Sequence, residues 1–134
     1  MTTELFYLAL TAVLAASLWI PFIVGVNMHA DDKASNFVRP PDLTLLPDWV
    51  QRANRAHLNL IETALPFAAL VLTAHVAGIS TMVTVGAAIA FFWLRVAHAV
   101  GMITATARMP LRPIIFTASW LCSVAIFVEL VRMS

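Results

Sequence analysis

The chain is predicted to be an all-α integral membrane protein, a single-domain four-helix bundle, and three observations lead there. It is 61% hydrophobic and only 11% charged, with a mean hydropathy of +0.89. A soluble domain of 134 residues needs far more polar surface. Its apolar residues fall into four stretches, each long enough to cross a hydrocarbon core about 30 Å thick. Polar or turn-forming segments separate them. Each span must be helical, because a lone strand cannot satisfy its backbone in lipid.

The spans are expected at about residues 5–26, 53–77, 81–104 and 113–131, within one domain covering 1–134. The first is preceded by Glu4, lacks a positively charged leader and is too long for a signal-peptide core, so it is read as a retained helix. Pro21 and Pro66 lie inside spans and are expected to kink them. The connection over residues 27–51 is polar, with Asp31, Asp32, Lys33, Arg39, Pro40, Pro41, Asp42, Pro47 and Asp48, and fits no long helix. A short uncharged turn around Gly78 joins the second and third spans, and Arg108, Pro110, Arg112 and Pro113 mark the last connection. Basic residues set the orientation. Lys33, Arg39, Arg52, Arg55, Arg108 and Arg112 lie at one end and only Arg132 at the other. The arginine-rich end therefore faces the cytoplasm and both termini face away from it. The net charge of +1 with no basic run gives no reason to expect a nucleic-acid partner. Cys122 is the only cysteine, so the chain has no internal disulfide. His29 and His75 fall near opposite surfaces, and no His/Glu spacing suits a metal.

The second span opens with an unusual set of residues. Arg52, Arg55, Asn59 and Glu62 recur at i, i+3, i+7 and i+10. At about 100° per residue they share an arc of roughly 80° on one helix face. Glu62 comes about 15 Å deep at a 1.5 Å rise. A charge at that depth costs roughly 2.5–3.5 kcal/mol or more unless it is paired or wetted. The third span carries Arg95, His98 and Met102 on one face of its own. Counted inward from the arginine-rich end, Arg95 lies about 16 Å deep, level with Glu62, and His98 about 12 Å, close to Asn59 at about 10 Å. Helices joined by a short turn pack together, so Glu62 is expected to pair with Arg95. Such a pair can act purely to fix helix register. A graded set of cation, amide and carboxylate also suits a small zwitterion. His57 lies on the other side of its helix and reads as a helix contact. Arg112 and Arg108 read either as a positive flank or as cations beside an incoming thiol or anion.

These residues resemble a known signature. Arg52-x-x-Arg55-Ala-His57-x-Asn59-x-x-Glu62-x-x-x-Pro66-Phe67, then Arg95-Val-Ala-His98 and Arg108-Met-Pro-Leu-Arg112-Pro113, are similar to the MAPEG superfamily, the membrane-associated proteins of eicosanoid and glutathione metabolism. The resemblance is closest to small bacterial members, hence an inner-membrane location. It implies a homotrimer of four-helix subunits that binds glutathione between subunits. Arg52, Arg55, Asn59, Glu62, Arg95 and His98 would form the binding set. Arg112, with Arg108 as the fallback, would stabilise the thiolate. The thiol would then be transferred to a lipophilic electrophile, or would reduce a lipid peroxide, reached from the membrane. The chain departs from the pattern at Met102 and Phe116, where family enzymes commonly carry tyrosine, at Thr63, and at Pro113, where a serine is common. The alternative is a catalytically silent trimeric scaffold or accessory subunit. A transporter fits less well, since broken-helix pairs and repeated halves are missing.

Overall fold

The computed structural model describes residues 1–29, 42–107 and 109–133. Arg108, and within the first connection Asp31, Asp32, Lys33, Arg39, Pro40 and Pro41, lie outside them. The described residues form α1 (Thr3–Ser17), α2 (Trp19–His29), a 3-10 turn (Leu43–Leu45), α3 (Asp48–Val76), α4 (Met82–Ile103) and α5 (Leu111–Met133). Four helical stretches among them are long and apolar enough to cross a membrane, α1 and α2 together making the first, of 27 residues. The polar connection is shorter than its composition suggests, because Asn27 to His29 continue α2 and Asp48 to Gln51 begin α3.

Local chemistry sets the helix ends. Thr2 caps α1, its hydroxyl accepting from the Leu5 amide. Thr81 and Thr84 form a reciprocal capping box at the start of α4. The expected kink at Pro21 takes the form of a break at Leu18. The Pro21 ring crowds the carbonyl of Ser17 and offers it no N–H, so the helix is interrupted just upstream. Pro66 leaves α3 unbroken, although the Glu62 carbonyl loses its usual partner there.

At the end of α3, Gly78 takes φ +70°, and the amides of Gly78 and Ile79 bond back to the carbonyls of His75 and Ala74. This closes the helix and reverses the chain within a few residues. At the end of α4, Ala105 holds φ +60°, and the Ala107 amide bonds to the Gly101 carbonyl at 3.0 Å. Gly101 permits that return, since a Cβ there would stand 2.5 Å from the Ala107 Cβ.

α4 is the central helix and packs against α1, α3 and α5, while α2 packs against α3. Phe67 of α3 and Phe91 of α4 stack face to face, centroids 3.8 Å apart. They anchor an apolar core with Val71, Ala88 and Ile126 toward the terminal end of the bundle. A second cluster, including Ala56, Leu60, Ala99 and Met102, fills the arginine-rich end.

The turn after α4 yields a paired test. Gly101→Ala is expected to cost about 1–3 kcal/mol through overpacking, read as a lower melting temperature in detergent. Gly86→Ala, on the same helix but with nothing within 4 Å of the added Cβ, is expected to be neutral or stabilising by up to about 1 kcal/mol. Equal shifts would rule out the close approach as the cause.

Candidate functional site

α3 buries Val50, Ala53, Ala56, Leu60, Phe67, Val71 and Ala74. Taking Leu60 as the centre of that buried face, Glu62 points about 160° away and Arg55 about 140° away, at 100° per residue. Both are exposed. Asn59 and Arg52, about 100° and 80° from the centre, lie at its flanks and are half-buried. α4 turns its polar residues the other way, inward, with Arg95 and His98 each 1% exposed.

This corrects the expected Glu62–Arg95 pair. The two residues match in depth, but Glu62 faces away from α4. Among the described residues the only ion pair is Arg132 with Glu129, at 3.2 Å. Arg95 instead takes neutral partners. Its Nη2 donates to Asn59 Oδ1 and lies 3.4 Å from His98 Nδ1. Its Nη1 donates to Ser119 Oγ at 3.3 Å, and that hydroxyl donates on to the Phe116 carbonyl at 2.8 Å. The Phe116 ring lies 6.0 Å from the guanidinium carbon. An arginine can only donate, so the Asn59 atom facing it must be the oxygen. The Asn59 NH2 makes no hydrogen bond among the described residues.

Ser119 was not singled out from the sequence, yet it is completely buried. A depth count would have found it. It lies about 12 Å along α5 from Leu111 at the helical rise, level with His98. Asp48 and Gln51, expected within the polar connection, lie in the first turn of α3 and line the cleft at the arginine-rich end.

The remaining candidates divide between two clefts on the α3–α5 side. The first, about 390 Å³, lies at the arginine-rich end and gathers Arg52, Arg55 and Arg112 with Asp48, Gln51 and Met102. Arg52 Nε also donates to the Ile103 carbonyl at 3.4 Å, at the end of α4. Arg55 and Arg112 make no hydrogen bond or ion pair among the described residues. Among the described residues three cations face one carboxylate here; the N-termini of α3 and α5 add positive potential, and the C-terminal end of α4 offsets part of it. The second cleft, about 430 Å³, lies between α3 and α5. Phe91, Phe116, Trp120 and Phe127 make it apolar, and Glu62 and Thr63 lie on its wall. The Asn59–Arg95–Ser119 tie joins α3, α4 and α5. His57 is half-buried, with its Nδ1 unpartnered. No group of three or more His, Cys, Asp or Glu suited to a metal occurs among the described residues.

Ser119→Ala leaves a buried Arg95 donor without its acceptor and is expected to lower stability by about 1–3 kcal/mol. In an Arg95→Met background the same change should cost much less, since its partner is gone. Additive losses in thermal denaturation of the two singles and the double would dissolve the tie.

A comparison with curated proteins finds no match. The model of the MAPEG family, by contrast, matches residues 5–132, nearly the whole chain. Together with four membrane-length helices and the arginine-lined cleft, this establishes that the chain is a multi-pass membrane protein belonging to the MAPEG family.

Proposed function

We propose that the chain works as a homotrimer that binds glutathione or a similar anionic thiol at its arginine-lined cleft and delivers the sulfur to a lipophilic electrophile or peroxide. The observation that carries this reading is the convergence of Arg52, Arg55 and Arg112 on one cleft, on the same side as an apolar groove with Glu62 on its wall. Family membership supports it. Arg55 and Glu62, exposed on a single chain, would face a neighbouring subunit and complete the site there. The arginine-rich end would face the cytoplasm of a bacterial inner membrane, where soluble thiols can enter, and both termini would face away from it. The apolar groove would admit the second substrate from lipid.

In this scheme Arg55 and Arg52 hold carboxylates, and the Asn59 amide and Glu62 carboxylate orient the remaining polar groups. Arg112 lies beside the sulfur and favours thiolate over thiol, the released proton passing to water at the mouth. The thiolate forms a carbon–sulfur bond with the electrophile, and the displaced group leaves with the electron pair. With a peroxide, the thiolate sulfur takes the terminal oxygen as a sulfenic acid and the alcohol departs. A second thiol then yields disulfide and water. His98 and Arg95 act from behind, holding the Asn59 side of the site.

A second reading has its own support. Met102 and Phe116 carry no hydroxyl, and both terminal nitrogens of Arg95 are used in tying helices together. A silent trimeric scaffold needs nothing more.

The two readings diverge in one experiment. Ligand binding raises thermal stability as RT ln(1 + [L]/Kd). Glutathione is expected to raise the melting temperature of the purified protein, and Arg55→Ala and Glu62→Gln should each abolish that shift while the variant stays folded. Absence of any shift across a panel of thiols favours the scaffold. For the chemical step, Arg112→Ala should lower turnover with an activated aryl halide by about 10²-fold with a smaller loss of thiol binding. Unchanged turnover removes Arg112 from the mechanism.

A further inference from the structure

The far end of the bundle holds a polar cluster that the thiol chemistry does not use. Glu4 stands in the first turn of α1 yet is only 6% exposed. Its Oε1 accepts two hydroxyl hydrogen bonds, from Ser80 at 2.7 Å and from Thr84 at 2.8 Å. Its Oε2 is buried and has no hydrogen-bond partner. Among the described residues no cation pairs with it. Beside it lies a hollow of about 230 Å³, with Thr2, Glu4, His75 and Ser80 on its polar side and Val71, Ala74 and Ile79 on its apolar side. The last turn of α3 ends against this hollow with its negative end, while α1 and α4 begin beside it with their positive ends, so the pull on a cation comes from the carboxylate itself. A buried carboxylate oxygen left unsatisfied is costly, and two fixed hydroxyl donors hold it in place.

We propose that this hollow is a binding site for a primary ammonium group. The single carboxylate offers too few ligands for a divalent ion, which takes six or more oxygens. An ammonium brings three N–H donors to a place that offers acceptors. A quaternary ammonium brings none, and among the described residues the hollow has no Trp, Tyr or Phe in its wall to hold one by cation–π contact. The hollow has room for roughly eight waters at about 30 Å³ each, so it admits an aminoethyl group with water left beside it. The site lies where α1 and α4 begin and α3 ends, which is headgroup depth for helices of this length. Two sources share this chemistry, an ethanolamine lipid headgroup and a free amine in solution.

The test is lipid retention by the purified full chain, read by native mass spectrometry. The lipids carry identical acyl chains and ethanolamine headgroups bearing zero, one, two or three N-methyl groups. Retention is expected to fall by roughly tenfold or more from the primary amine to choline, as charge-assisted hydrogen bonds are lost. Glu4→Gln keeps an acceptor for Ser80 and Thr84 but removes the charge, and it should erase the preference. Free ethanolamine stabilising the unchanged protein, and not Glu4→Gln, in choline-only micelles would assign the amine to solution and still support the site. Equal retention across the methylation series, with no response to free ethanolamine, would overturn the proposal using the native sequence alone. A preference that survives in Glu4→Gln would overturn it as well.

Discussion

A guanidinium buried among membrane helices with no carboxylate beside it is the constraint on which the rest of the bundle depends. Arg95 is 1% exposed, and its hydrogen-bond partners are an amide, a hydroxyl and an imidazole. A charge at that depth is tolerated only when dipoles surround it. Asn59 and Ser119 come from α3 and α5, so the need to solvate one side chain draws three helices to a common level. The close stack of Phe67 on Phe91 then sets the same helix pair one layer further along. Polar contact selects the register, and aromatic and small-residue packing fill the space around it.

With both Arg95 Nη groups bonded inside the bundle and its buried Nε left without a partner, Arg55 and Glu62 of α3 take no part in that tie. Arg55 and Glu62 point away from the core and become the walls of two clefts. One is cationic and opens at the helix ends; the other is apolar and runs between α3 and α5. Met102 is buried at the inner wall of the first, and Phe116 lies between the Arg95 tie and the second. Both positions, where the family resemblance leads one to expect hydroxyls, are therefore apolar contacts here. Ligand recognition would rest on charge at the mouth more than on hydrogen bonds at depth.

The spans and their turns were largely legible in the sequence, because hydropathy reports length and charge reports ends. Spacing alone also placed Arg52 and Arg55 on one face, and the cleft gathers both. What spacing could not give is which way a polar face turns. Depth put Glu62 level with Arg95, but azimuth decides contact, and the small residues Ala53 and Ala56 let α3 pack with its polar arc turned outward. Asn59, at the edge of that arc, makes the contact instead. Ser119 escaped notice because a lone serine in an apolar helix carries no periodic signal; only its depth relative to a buried arginine marks it. The break at Leu18, rather than a bend at Pro21, reflects where a proline exerts its clash, one turn upstream. Arg108, the fallback for the thiolate role, lies outside the described residues.

The placement of the cations is the strongest support for the proposal that the cleft takes an anion. Arg112 is the second residue of α5, where the helix dipole opposes a positive charge. Arg52 escapes a similar penalty by turning to the Ile103 carbonyl, at the negative end of α4. Among the described residues Arg55 and Arg112 have no such outlet, and Asp48 is the one carboxylate lining the cleft. Like charges held around a hollow repel one another, and a helix N-terminus strengthens the field. A bundle built only for its own stability would place those cations at helix C-termini or pair them. Leaving them unpaired, where two helix N-termini also point, produces a surface whose electrostatic energy falls when an anion enters. Membrane topology accounts for the arginines being at that end, but it does not account for their convergence on one cleft.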